Sequence, residues 1–426
     1  MQEFTKDSSI LQITDEIREK AANGQYIVSD IVLRENDREY QFVDLVMEGG
    51  GTLGIALVGY IHALEQAGIR FLGIGGSSVG AIVALVAYSC GNRIEEKGEK
   101  LAYFISEMDL GAMVDGKFFA RRLSKLLGNR SATLRALRIG INAIFSLPSI
   151  LCKLGLNPGD KLEKWISDRL LDNGIRSLGD LSRLIDTLPE GLTHRITGKP
   201  IIDYDTSLRI VVADITTSTK VVLPDMAPMY WEEPSVVDPA CFARASASIP
   251  IFFQPFTVSG VSGLIGNREN WEKLGSFTGN IPDKVSFADG GVLSNFPIDL
   301  FDRHGVPRAP TFGARLGSKQ RSVKEIKKIG QYAGALFESM RQYADYDFIF
   351  KNPLYNQLIT HIPTEDYYWI DFAMSREDQQ GLFREGVVAG YKFLESFDWA
   401  QYKQLRAAEI QKRKGRDNTS KIGVES

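Results

Sequence analysis

Two short stretches put reactive residue types where the backbone could expose them. The first is "GSSVG", Gly76 to Gly80, which fits G-x-S-x-G with Ser78 at its centre. A serine at a sharp strand-to-helix turn points its Oγ outward, and only small flanking residues fit, because the helix returns close to the strand. Such a serine can attack a carbonyl carbon if a base takes its proton. It can equally be a surface or N-cap serine in a glycine-rich turn. The second stretch is "EGGGTLG", Glu48 to Gly54, in which Gly49, Gly51 and Gly54 match G-x-G-x-x-G between an apolar strand and an apolar helix. Three readings compete here. A dinucleotide site needs an Asp or Glu about 20 residues on for the ribose, but the next strand ends in "GIGGS" without a carboxylate. A turn that only lets helix and strand pack closely is the second. In the third, successive N–H groups face one concavity at a helix N-terminus and hold a developing oxyanion.

A nucleophilic serine needs a base. The chain has four histidines, His62, His194, His304 and His361. His62 falls in an apolar helix and His194 in a polar linker, and both read as structural. His304 and His361 follow Asp289, so the order Ser, Asp, His of a hydrolase triad is available, but neither sits in a motif. A carboxylate has the better context. "SFADGG" puts Asp289 after a strand and directly before two glycines. There it could reach a serine at the carboxyl edge of a parallel sheet, where ligands bind in open α/β folds. An Asx turn or a capping aspartate remains the alternative.

These turns need elements to hold them. "FVDLVM" (Phe42 to Met47) and "IRFLGI" read as strands, each followed by a glycine turn and an apolar helix, the first ending at Gly68. That βαβα order predicts a mostly parallel sheet covered by helices, an α/β fold. "LRIVVADITTSTKVVLP" reads as two strands around a turn, "DPACFARASASIP" as a helix, and "IFFQPFTV", "TFGARLGS" and "YYWIDF" as extended. Ser375 with Asp378 forms a capping box for a long helix. The predicted organisation is a lead-in over 1–40, one catalytic domain over 41–310 with a helical insertion over about 95–205, strands and helices over 311–400 that complete it, and a basic, disordered tail over 401–426.

With 426 residues, 44% hydrophobic and 24% charged, the chain can bury a sizeable core. A net charge of −3 gives no field for nucleic acid. Cys90, Cys152 and Cys241 are widely spaced and form no zinc pattern. The polar N-terminal residues lack the apolar core of a signal peptide, and the best candidate for a membrane span, Ile139 to Leu151, is too short and contains Pro148. The expectation is a cytoplasmic protein, peripheral to a membrane or exported without a cleaved leader.

Taken in order, "EGGGTLG", "GSSVG", "ARASASIPIFFQPF" and "FADGGVLSNFP" resemble the patatin-like phospholipase family from about Phe42 to Pro297. The resemblance implies a three-layer α/β/α sandwich and a serine–aspartate dyad. In it Ser78 is the nucleophile and Asp289 its base, while Gly49, Gly50 and Gly51 supply oxyanion N–H groups. It implies a lipid or phospholipid substrate, an acyl-enzyme intermediate and no metal or other cofactor. Three positions depart from the family pattern. Glu48 stands where an aspartate or other residue precedes the glycines, and Leu53 where an arginine or lysine is common. Val79 is bulkier than the usual alanine. Those departures leave room for a silent lipid-binding module, just as His304 and His361 leave room for a triad esterase. Finally, residues 117–156 hold eight Lys or Arg, no Asp or Glu, and interleaved apolar residues. This pattern fits contact with an anionic membrane, or else a solvated cap on the core.

Overall fold

A computed structural model describes residues 4–36, 38–116, 151–319, 326–327 and 329–422. Helix α1 (Ser8–Ala22) leads into strands β1 (Ile31–Glu35) and β2 (Arg38–Met47), then α2 (Gly54–Gln66), β3 (Ile69–Ser77), α3 (Val79–Ser89) and α4 (Gly98–Ser106). Next come β4 (Gly155–Asn157), α5 (Asp160–Asp172), α6 (Leu178–Ile185), β5 (Thr193–His194), β6 (Leu208–Asp214) and β7 (Thr219–Leu223). They are followed by α7 (Ala240–Ser246), β8 (Ile251–Phe253), β9 (Phe256–Ser259), α8 (Asn267–Gly275), β10 (Lys284–Ala288) and β11 (Thr311–Leu316). The chain then forms α9 (Ile329–Lys351), β12 (Ile359–Ile362), α10 (Arg376–Ser396) and α11 (Trp399–Ile422).

The main sheet has the order β12-β11-β2-β3-β6-β10-β9. Its first five strands are parallel, while β10 and β9 join antiparallel, as do β1 on β2 and β7 on β6. The chain moves from β2 toward β6 and returns later to β11, so strand order reverses beside β2. Clefts open at such reversals, at the carboxyl ends of the strands. β2 and β3 read as near-continuous apolar runs because helices cover both faces.

Helix α2 is buried along its whole length. It crosses α10 where Gly59 meets Gly386: a methyl on Gly59 would strike the Phe383 carbonyl, and one on Gly386 the Ala56 carbonyl. Ser375 caps α10 as its spacing with Asp378 predicts, with Asp378 N donating to Ser375 Oγ at 3.0 Å. In the predicted insertion, the described helices α4, α5 and α6 pack around α3. Residues 117–150 lie outside the described residues, and with them most of the basic segment.

Two elements differ from the sequence reading. "YYWIDF" is a run of turns, not a strand. Trp369 packs on the glycine turn and Phe372 stacks on Phe252, so these side chains are half-buried without a sheet ladder. The tail expected to be disordered continues α11 to Ile422. Trp399 and Tyr402 are buried at its start, Arg406 pairs with Asp302, and the Lys/Arg/Gln/Ala composition favours helix.

Candidate active site

The turn after β3 holds Ser78 at φ 54° and ψ −124°, a conformation that non-glycine residues rarely adopt. Strain of this kind costs about 1–3 kcal/mol and is kept only where surrounding contacts impose it. The imposing contacts are visible. Ser78 N donates to Ser246 Oγ at 2.9 Å, and Ser246 Oγ donates to the Val211 carbonyl of β6 at 2.6 Å. The flanking glycines are steric requirements: a Cβ on Gly76 would lie 2.7 Å from the Met47 carbonyl, and one on Gly80 would lie 2.8 Å from the Glu48 carbonyl.

Asp289 follows β10 on the other side of β6. Its amide donates to the Ser248 carbonyl at 2.9 Å, so the helix-and-turn block from Ala243 to Ser248 anchors the backbones of both candidate residues. Ser78 Oγ donates to Asp289 Oδ2 at 2.6 Å, and Asp289 Oδ1 accepts Gly291 N–H at 2.8 Å. Both residues are nearly inaccessible, at 3% and 4% exposure, so the pair sits in a low-dielectric setting. Burial pushes the Asp289 carboxyl above the usual aspartate range, against the opposing pull of Arg341, the serine hydroxyl and the Gly291 amide.

The glycine turn lies against this pair. A Cβ on Gly49 would stand 2.9 Å from Ser78 Cβ. The three glycines are not equivalent. Gly49 N–H is committed to the Asn295 carbonyl at 3.0 Å, which corrects its expected place among the oxyanion donors. Among the described residues, the N–H groups of Gly50, Gly51 and Val79 donate to no protein acceptor. Gly51 has φ 57°, and a Cβ there would strike the Trp369 carbonyl, so this position requires glycine.

Glu48 is turned away from Ser78. Its carboxylate accepts Leu316 N–H at 2.6 Å and Asn295 Nδ2 at 3.1 Å, and it pairs with Arg315 at 3.4 Å. It therefore braces the glycine turn against β11. Although Leu53 supplies no cation, Arg341 of α9 donates to Asn295 Oδ1 at 2.5 Å and brings a guanidinium to the same corner. Ser246, Asn295 and Arg341 carried no signal of their own in the sequence, because their partners lie far along the chain.

None of the four histidines is a hydrogen-bond partner of Ser78 or Asp289 among the described residues. His62 is buried beside Phe383, and burial pulls its imidazole down to about 4. His194 lies in β5, His304 is exposed, and His361 lies in β12 opposite Arg315, its imidazole lowered by burial.

A cavity of about 800 Å³, counted to its open mouth, begins at Ser78, Gly51 and Thr52. Val79, Ile82, Val83 and Val86 line one side, the i, i+3, i+4, i+7 face of α3. Leu101, Phe104, Ile105 and Met108 from α4 and the turn after it face them, and Leu162 and Trp165 add the α5 side. Ionisable residues are missing from the described lining.

The model of the family described as "Patatin-like phospholipase" matches residues 45–302, which span the glycine turn, both candidate residues and the sheet between them. The chain belongs to the patatin-like phospholipase family. It is thereby a member of a lipid-hydrolase family, with the family's α/β architecture. YqhO of Bacillus subtilis (strain 168) is 30% identical over 360 residues, covering 84% of this chain and 100% of the relative. Among solved structures, VipD from Legionella pneumophila is similar at TM-score 0.41 and 16% identity, over 87% of this chain and 70% of that one. The structure of full-length SpcU in complex with full-length ExoU from the type III secretion system of Pseudomonas aeruginosa is similar at TM-score 0.37 and 16% identity, over 83% and 53%.

Proposed function

We propose that this family member hydrolyses carboxylic ester bonds of phospholipids or lysophospholipids through a Ser78–Asp289 dyad. The observation that carries the reading is the 2.6 Å hydrogen bond from Ser78 Oγ to Asp289 Oδ2 at the head of an apolar cavity. Asp289 takes the hydroxyl proton as Oγ attacks the acyl carbonyl carbon. The carbonyl oxygen becomes an oxyanion, held by the N–H groups of Gly50 and Gly51, with that of Val79 beside them. As the carbon–oxygen bond to the leaving alcohol breaks, Asp289 gives the proton to that oxygen. The acyl group remains on Ser78 as an ester. Water then attacks, again deprotonated by Asp289, and the fatty acid departs as Ser78 regains its proton.

An ordinary aspartate is a weak base near neutral pH, and the elevation by burial brings Asp289 closer to the serine it must deprotonate. The cavity lining suits a fatty acyl chain, which would lie along α3 with its ester at the open glycine turn. A serine-reactive phosphonate probe and a lipid digest test the reading together. The parent protein should be labelled and should release fatty acid from mixed glycerophospholipids, and Ser78→Ala should do neither. Release by Ser78→Ala at the parent rate would end the proposal.

A further inference from the structure

Helix α9 has two different faces. On the inner one, Asp345 accepts Ser294 Oγ at 2.6 Å and Phe296 N–H at 2.7 Å, while Arg341 donates to Asn295. These three partners belong to the loop just after Asp289. The Arg341 guanidinium also lies 5.8 Å from the centre of the Trp369 ring. The carbonyl of that tryptophan takes Thr52 N–H at 2.8 Å, at the cavity mouth. The inner face thus grips the rim of the site.

On the outer face, Tyr332, Leu336, Tyr343 and Phe350 are spaced by four, seven and seven residues and are all exposed, Tyr343 by 75% and Phe350 by 78%. Residues at this spacing share one side of a helix. The acidic residues described on α9 lie elsewhere: Asp345 points inward and Asp347 pairs with Lys351 at 2.5 Å. Lys319 and Lys327 are exposed on the segment that precedes the helix.

We infer that this outer face of α9 docks the protein on the surface of an anionic lipid bilayer, bringing the cavity mouth to its substrate. The inference rests on the lipid reading of the site. Residue types favour a bilayer over a helical partner. A helix seam with this repeat prefers Leu, Ile and Val, and it would bury the tyrosine hydroxyls in a dry contact. At a bilayer interface the ring enters the acyl boundary while the hydroxyl stays among headgroups and water. Lys319, exposed on the segment before the helix, adds attraction to anionic lipid.

The test uses full-length protein and vesicles of phosphatidylcholine with phosphatidylglycerol. Binding is measured on the Ser78→Ala background, so that lipid is not consumed. Adding Leu336→Ser, Tyr343→Ser and Phe350→Ser together should weaken vesicle binding on the order of tenfold or more. With Ser78 intact, the same three changes should leave hydrolysis of a soluble, monomeric ester unchanged and lower hydrolysis of vesicle lipid in step with binding. Tyr343→Trp alone gives a readout that does not depend on the fate of the triple variant. Brominated lipid should quench its added fluorescence relative to the parent. Unchanged vesicle binding by the triple variant overturns the inference, as does an added indole that brominated lipid leaves unquenched. So does a parent dimer that becomes monomeric in the triple variant with no change in vesicle binding. If vesicle binding follows α9 while no ester is cleaved, the docking surface stands and the hydrolase reading falls.

Discussion

At the scale of single residues, Asp289 carries two linked consequences. Its carboxyl titrates above the aspartate range in the folded chain because burial disfavours the charge. Only the charged form can accept the Ser78 proton, so kcat/KM should fall on acidification at a higher pH than an exposed aspartate would give. Stability has the opposite sign. The folded state holds this proton more tightly than the unfolded state, so the contribution is fully present below the unfolded value and is lost as pH rises through the folded one. Above the folded value the buried site tolerates the carboxylate less well than the neutral acid. Asp289→Asn should therefore lower turnover by about 10⁴-fold yet raise Tm, with a larger gain at pH 8 than at pH 4. Turnover and calorimetric scans of one preparation test both halves. His304→Ala and His361→Ala should keep most activity, and a folded histidine variant as inactive as Ser78→Ala would restore the triad reading. For the oxyanion turn, Gly50→Ala is the informative change, since its methyl meets only the movable Leu316 side chain. Turnover should drop on the order of 10²-fold with little change in KM. Gly51→Ala meets a fixed carbonyl and should show mainly as lost stability. Ser78, Asp289 and the glycines were legible because steric demands at a turn leave a local pattern. Ser246 and Asn295 were not, since a serine hydroxyl under a distant amide looks like any other serine until the chain folds.

At the scale of elements, α3 serves the sheet and the cavity at once. Its near-uniform apolar composition reads as burial on all sides, and Ala81, Ala84 and Leu85 are buried as expected. Val79 and Ile82 are only partly covered, because they face the cavity rather than the core. Composition does not separate those two fates. A larger side chain on that face should shorten the space for an acyl chain: Val86→Phe should shift preference toward shorter acyl esters, seen as a fall in kcat/KM for long chains and little change for short ones. Equal loss across chain lengths would place the acyl chain elsewhere. The βαβα core, the hairpin of β6 and β7 and the capping of α10 followed directly from periodicity and turn chemistry. "YYWIDF" misled because a run of aromatic and β-branched residues has the composition of a strand whether or not it joins a sheet, and the end of α11 because strong charge reads equally as disorder and as solvated helix.

At the scale of the whole molecule, the basic segment 117–156 and helix α9 predict separable effects. Each basic residue near an anionic surface contributes about 1 kcal/mol. If that segment also meets lipid, neutralising Arg121, Arg122 and Lys125 together should weaken binding to anionic vesicles by on the order of a hundredfold at low salt, with the loss fading as salt rises. Vesicle co-sedimentation across a salt series measures it, and no change at low salt would mark the segment as a solvated cap. One feature of the fold also bears on how the chain is made. Ser78 and its carboxylate partner are 211 positions apart, on opposite sides of β6. During synthesis the serine turn leaves the ribosome long before Asp289 exists. β10 can complete the pair only after β6 is in place. On the proposed mechanism, a nascent or prematurely terminated chain would thus hold a nucleophile with no base, unable to cleave the lipids of the cell that is building it.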